Sequence, residues 1–467
     1  MSEFLETIGS IIGDERVLSD TQDMQPYLED RRGRYESNAL AIVRPGATNE
    51  VAKVVHICQR ENISIVPQSG NTGLCGGAVA TRGQIILNLD RMNSIRSIDP
   101  DNYTITAEAG CILANIQHAA REQDRYFPLS LSAEGSCQIG GNLATNAGGL
   151  NVLRYGNARD LTLGLEAVLP DGSIWNGLNA LRKNNTGYDL KNLLVGSEGT
   201  LGIITAAVLK LFPCHVETHT AFLGFNELEK CSELLSRCRE ASGDQMSSFE
   251  LIARTCLDFA FKHTSDSRDP FNENYKWYVL VEFSSTRQNS GLRDAMEQVL
   301  HQSLEDNLIQ DAAINENESQ AQAFWFLREA IIEGQKFEGA SLKHDISVQI
   351  ADVPTFIRQA TNSVLERLSG IRVCAFGHAG DGNIHFNLSQ PTDMDSDEYL
   401  AMQAEINDIV NSVVNDLGGS FSAEHGVGIM RLNDMRRYKS NVELAMMRSI
   451  KQSFDPNDIM NPGKVLP

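Results

Sequence analysis

Apolar residues fall at Ile384, Phe386 and Leu388, with His385 and Asn387 between them. That period of two predicts a strand that carries His385 and Asn387 on one face. The same alternation places short strands over 41–43, 63–67, 85–89 and 103–107. A hairpin over 161–169 and 173–175 turns on Asp171-Gly172. Residues up to 40 read as a helical lead-in followed by a polar, arginine-rich stretch. Helical spacing appears where Thr48-Asn49-Glu50 offers capping chemistry ahead of Val51, Val54, Val55 and Cys58. A second helix is expected over 112–122.

Past Phe212-Pro213 the pattern changes character. Strand 218–225, helix 227–241 and strands 247–252 and 277–283 are followed by a helix through 324–329 and a strand over 341–345. Helices near 354–368 and 398–417 bracket the strand at 384–388. Alternation of this kind suggests an α+β fold, with helices on one face of an antiparallel or mixed sheet.

Three stretches interrupt these patterns with small residues. The first is Pro67-Gln68-Ser69-Gly70-Asn71-Thr72-Gly73-Leu74-Cys75-Gly76-Gly77; the second spans 135–149 and the third 196–205. A strand opening into such a loop lets backbone N–H groups close on an anion, and glycine permits positive φ and close approach. Each loop alone equally fits an ordinary surface loop. Three in one domain suit a large phosphate-bearing cofactor. The dinucleotide fingerprint GxGxxG is missing, because Gly426-Val427-Gly428 continues to Arg431, and no Walker loop occurs.

His378 and His385 flank a glycine-rich turn, and Ser422-Ala423-Glu424-His425-Gly426 adds a carboxylate and a third imidazole. Two neutral imidazoles and a carboxylate are a ligand set for zinc or another borderline divalent ion. Each histidine alone also fits a hydrogen-bonded residue near a turn; the grouping, in a chain with 10 histidines, favours the metal.

Composition narrows the partners. At 467 residues the chain holds two or three domains. A net charge of −21 argues against nucleic acid and against anionic lipid. An anionic substrate then needs a local basic pocket. The 9 cysteines are scattered and lack a CxxC pair, which reads as reduced thiols in a cytoplasmic protein. Residues 1–12 show neither a secretory nor a transit pattern, and no stretch approaches the roughly 20 apolar residues of a membrane span.

Taken in order, PQSGNTGLCGG, GSCQIGGNLATNAGG, TGYDLKNLLVGSEGTLGIIT and FDPNDIMNPGK resemble the flavin-binding segments of vanillyl-alcohol oxidase type flavoproteins. HAGDGNIHFN and EHG resemble the metal site of their FAD-linked oxidase C-terminal domain. The collinear set is similar to the D-2-hydroxyacid dehydrogenases, above all the D-2-hydroxyglutarate branch. The resemblance implies an FAD-binding domain over 1–213 and a ferredoxin-like substrate and metal cap over 214–454, with 455–467 returning to the first domain. FAD is then expected on Pro67, Gln68, Ser69, Gly70, Asn71, Thr72, Gly73 and Leu74 of the first loop. The second loop would add Gly135, Ser136, Ile139, Gly140, Gly141, Asn142, Thr145, Asn146 and Gly149. The third would add Glu198, Gly199, Gly202, Ile203 and Ile204, and the terminal segment Asn461. The flavin is expected to be non-covalent, since Asn71 stands near where some relatives carry a tethering histidine.

By the same motif positions, His378, His385 and Glu424 would hold the metal. His425 would be the general base, its alternative role being to orient Glu424. Asn387 would donate to the substrate carboxylate, with Arg328 and Lys343 supplying cations. His344 and Asp345 read as structural partners. Ile332 departs from the branch pattern, which carries threonine there, and this unsettles the distal end of the substrate. The expected substrate is a D-2-hydroxy dicarboxylate such as 2-hydroxyglutarate or malate. A D-lactate or glycolate type enzyme, an oxidase, a zinc hydrolase and a non-catalytic flavin protein stand as alternatives. A flavoprotein carrier, a quinone or a dye could take the electrons, and a homodimer is left open.

Overall fold

The computed structural model describes residues 2–467. Strand Ala41–Val43 and helix Thr48–Glu61 form where the pattern predicts them. The expected cap differs. Ala47 occupies the N-cap without a side-chain bond; Glu50 instead accepts from Gly46 N at 2.7 Å, and Thr48 Oγ1 donates to Glu166 at 2.6 Å. Both polar side chains are thus claimed by neighbouring segments.

Two compact units make up the chain. One runs to Gly149 and adds Tyr155–Cys214 and Glu424–Pro467. Its first sheet has Val17–Leu18, Ala41–Val43, Ile85–Asn88 and Ile65–Gln68 in spatial order, the last three parallel. Its second sheet is antiparallel, in the order Ile95–Asp99, Thr104–Glu108, Ile203–Lys210, Thr162–Val168, Ile174–Gly177. The Asp171-Gly172 hairpin joins the last two. Part of the second glycine-rich stretch is helix, Ile139–Ala144, although glycine disfavours helices. Close packing explains it: a Cβ on Gly140 would stand 2.7 Å from the Ala109 Cβ.

The chain re-enters this unit at Glu424, well ahead of 455. The motif at 455–464 marks where the returning segment is most deeply set, with Ile459 and Met460 buried and Met460 bridged to Ile65. No composition break announces 424.

The other unit comprises Leu150–Arg154 and His215–Ala423. Its sheet has seven strands, ordered Asp311–Ile314, Glu217–Phe225, Trp277–Ser285, Met246–Ala253, Arg372–Gly377, Asn383–Ser389, Ser341–Ser347. Every pair is antiparallel. The predicted helix over 398–417 is broken at Met402 into Ser396–Ala401 and Gln403–Asp416. Register separates the chemistry of the two faces at one end of this sheet. Lys343 lies opposite Asn387 and Asp345 opposite His385, so these four share a face. Ile384, Phe386 and Leu388 turn the other way into the core, where Phe386 meets Phe356 edge to face at 5.3 Å. His344 also faces that way, its ring nitrogens set against Phe386 O and Asn407 Oδ1, both at 2.9 Å. Its reading as a structural partner agrees.

Candidate active site

In the first unit, residues 67–79, 138, 140–142, 144–145, 198–199 and 202–204 line one cavity, joined by Asp30, Leu89 and His425. Most of the expected cofactor positions are on this wall. Gly135, Ser136, Ile139, Asn146, Gly149 and Asn461 stand off it. Ile139 is in the core, while Asn461 works as a clamp. Its Nδ2 donates to Gly77 O at 3.0 Å and Glu198 O at 2.7 Å, and its N–H to Ile65 O at 2.8 Å. One side chain thereby ties the first loop, the third loop and the first sheet together.

The wall suits a ligand with hydrogen-bond donors. Gln138 Oε1 and Asn142 Oδ1 are buried acceptors without a partner among the described residues, and such groups are rare unless a ligand or water meets them. Gly70 allows the first two loops to touch, since a Cβ there would lie 2.5 Å from Ser136 O and 3.1 Å from Gln138 N. Both obstacles are backbone and cannot swing aside. Gly70→Ala is therefore expected to cost about 1–3 kcal/mol of overpacking, and protein purified from it should carry far less flavin. The flavin-to-protein absorbance ratio checks this; a parental ratio would refute the close approach.

Glu198 does not offer its carboxylate to the cavity. It takes Val427 N at 2.6 Å and Gly428 N at 2.8 Å, and burial pushes its pKa up against the pull of those two bonds. A Cβ on Gly426 would fall 2.7 Å from its Oε1. Glu198 thus holds the segment after His425, and with it His425, against the cavity wall. Glu424 Oε2 accepts from Gly149 N at 3.1 Å, and His425 Nε2 lies 3.8 Å from Glu424 Oε1.

In the second unit, His378 and His385 come together with ring centroids 5.5 Å apart. Glu250, buried on strand Met246–Ala253, takes His378 Nδ1 at 2.5 Å with Oε1 and Arg328 Nε at 2.7 Å with Oε2. Burial pushes the Glu250 carboxyl up, but the charges and hydrogen bonds of His378 and Arg328 outweigh it and hold the pKa at about 2. Arg328 lies over the Phe376 ring at 4.7 Å. Arg328, Ile332 and Gln335 recur on one stripe of helix Glu318–Lys336. Gln335 Oε1 accepts from Asn387 Nδ2 at 2.9 Å, which leaves Asn387 one amide hydrogen for any other acceptor. Asp345 Oδ1 accepts from Asn383 Nδ2 at 2.9 Å and lies 3.7 Å from His385 Nδ1. Ala423 N donates to Asp345 O at 3.1 Å, and Glu424 follows it directly in the chain.

Arg328 is therefore neither a solvated surface charge nor a wholly uncommitted cation. Sequence reading passed over Glu250 and Gln335. The one signal for Glu250 was a charged residue inside the apolar run Phe249-Glu250-Leu251.

Comparison with known proteins agrees with this division of labour. Residues 39–177 match an FAD binding domain, and 215–465 match the C-terminal domain of FAD linked oxidases. The chain belongs to the FAD-linked oxidase family. It is an FAD-dependent oxidoreductase of the class that acts on CH–OH groups, with the expected α+β fold: a vanillyl-alcohol oxidase type FAD domain and a sheet-rich FAD-oxidase domain. A relative in Oryza sativa subsp. indica, named probable mitochondrial D-2-hydroxyglutarate dehydrogenase, is 38% identical over 460 residues, covering 98% of this chain and 80% of its own. D-2-hydroxyglutarate dehydrogenase of Xanthomonas citri pv. viticola is 34% identical, covering 96% and 94%. The solved structure of p-cresol methylhydroxylase superposes with a TM-score of 0.79 over 99% of this chain and 96% of that one, at 18% identity, a likeness of fold alone.

The cytoplasmic expectation does not stand. Relatives from rice, Arabidopsis thaliana, Danio rerio, Rattus norvegicus and Bos taurus are named mitochondrial. The cysteines are all free in this FAD-linked oxidase, but free thiols report a reducing environment and do not choose between compartments. Among the described residues no helix is long and apolar enough to cross a membrane.

Proposed function

We propose that this chain oxidises a D-2-hydroxy dicarboxylate to the 2-oxo acid. The supporting observation is the second unit's polar sheet face, which carries Lys343, His385 and Asn387 and is joined through Asn387 to Gln335 on the helix stripe of Arg328, Ile332 and Gln335. The relatives named for D-2-hydroxyglutarate supply the substrate class. FAD, when bound, would supply the acceptor for a hydride leaving the substrate Cα. A divalent ion, with zinc as the first candidate, would acidify the α-hydroxyl when held by His378, His385 and Glu424. Glu424 enters that set on its motif position. The rest is work for the protein's own groups. His425 takes the hydroxyl proton. Arg328 offers its Nη edge to a carboxylate, and Lys343 and the remaining amide hydrogen of Asn387 assist it. Non-covalent binding of FAD fits the buried Cys137, whose thiol pKa burial raises, making it a poor nucleophile. A flavoprotein carrier or a quinone removes the electrons.

Charge counting moderates the specificity. Glu250 answers Arg328, so the cationic excess is smaller than the sequence suggests. The charge-assisted bonds remain, each worth about 1.5–3 kcal/mol, or roughly 10- to 150-fold in discrimination. Ile332 favours a second reading, an apolar distal group as in D-lactate, since losing one neutral hydrogen bond costs about 0.5–1.5 kcal/mol. The charged term is larger. D-2-hydroxyglutarate or D-malate should therefore bleach the flavin anaerobically and exceed D-lactate in kcat/KM by about tenfold or more, with Ile332→Thr widening the gap. Highest kcat/KM for lactate, unchanged by Lys343→Ala, would establish the apolar reading. Absence of bleaching by any D-2-hydroxy acid would leave a hydrolase or a non-catalytic flavin protein.

A further inference from the structure

Glu250 divides its two oxygens between two jobs. One meets His378 at 2.5 Å and the other Arg328 at 2.7 Å, in a carboxylate only 1% exposed. We propose that Glu250 is a positioning residue that sets His378 to coordinate through Nε2 and aims Arg328 at the substrate carboxylate, so that metal and substrate share one buried anchor. This deepens the proposed function and rests on its assignments of His378 and Arg328.

The chemistry of each bond supports the division. A carboxylate at Nδ1 accepts that ring's N–H, which puts the lone pair on Nε2 and makes the imidazole a stronger donor to a metal. On the other side, the bond to Nε and the Phe376 ring beneath the guanidinium at 4.7 Å fix the plane of Arg328. Its Nη edge makes no second hydrogen bond among the described residues, and that edge is the one a carboxylate can engage in bidentate fashion.

A merely structural ion pair would look different. Arg328 alone compensates a buried carboxylate in charge, so the second bond, to a histidine at a glycine-rich turn, is surplus to that need. The Asp345 carboxylate lies 3.7 Å from His385 Nδ1, a longer separation than the 2.5 Å between Glu250 and His378 Nδ1.

The test compares FAD-loaded full-length parent, Glu250→Gln and Glu250→Asp. Zinc affinity is read by competition with a chromophoric chelator, without turnover, and KM and kcat are measured with D-2-hydroxyglutarate. Glu250→Gln should weaken zinc binding about 10- to 100-fold and raise KM severalfold more than it lowers kcat. Glu250→Asp, one methylene shorter, can reach only one partner and should recover at most one of the two readouts. It carries the test alone if the glutamine variant fails to fold. A folded variant within about twofold of the parent in both zinc affinity and KM overturns the shared anchor; so does an aspartate variant that recovers both. A parent that binds no divalent ion yet turns over fully defeats the proposed function instead, a separable result.

Discussion

Replacing His378 or His385 by alanine is expected to abolish hydroxy-acid oxidation while the protein stays yellow. Flavin should remain because the cofactor cavity is lined by first-unit residues, and both imidazoles belong to the second. Turnover should fall by more than the 10- to 100-fold that losing an outer partner of a metal ligand typically costs, since a ligand itself is removed. Glu424→Gln should behave likewise, with one qualification from the structure. Its Oε2 accepts from Gly149 N, so a glutamine that turned its NH₂ towards that donor would also disturb the loop behind it. The histidine variants are the cleaner pair. Metal content, flavin content and anaerobic bleaching, measured on the same preparations, separate the outcomes. Chelation should reproduce the loss, and added zinc should reverse it. Full turnover by a metal-free preparation would reduce the two imidazoles to structural residues.

How much of this could be read from the chain depends on distance along it. The loops and the His378/His385 turn are local: glycine, small polar residues and a two-residue period announce them directly. Glu250 is 128 residues from His378 and 78 from Arg328. It lies on a strand buried along its whole length, so no polar–apolar alternation betrays which side it faces. Strand Arg372–Gly377, which separates that strand from His385, also escaped notice. Arginine in the middle of helix Glu318–Lys336 was legible as a cation, but its burial was not, because only the fold brings Glu250 beneath it. Helix Ile139–Ala144 was hidden for the opposite reason: glycines that read as a loop are there for close packing.

Arg328→Met should produce the largest loss of stability in the second unit. Arg328 and Glu250 are 6% and 1% exposed. Removing one partner of a buried pair costs about 3–5 kcal/mol, because the other charge is left in a poorly solvated place. Methionine conserves most of the volume, so the loss would report charge more than packing. Its pH dependence follows from Glu250, whose folded pKa of about 2 lies below the ordinary carboxyl value. A depressed carboxyl contributes stability that is fully present above the unfolded pKa, about 4.3, and is lost as pH falls through the folded one. Arg328→Met removes the guanidinium charge and hydrogen bond that help depress it, so the variant's Glu250 titrates at higher pH. The gap between parent and variant should therefore be widest near neutrality and close as pH falls from about 4.5 towards 2. Thermal melts across that range decide the matter. Equal melting at neutral pH would show that Glu250 does not depend on Arg328. A gap that persists unchanged into acid would assign the loss to packing over Phe376 instead of to charge.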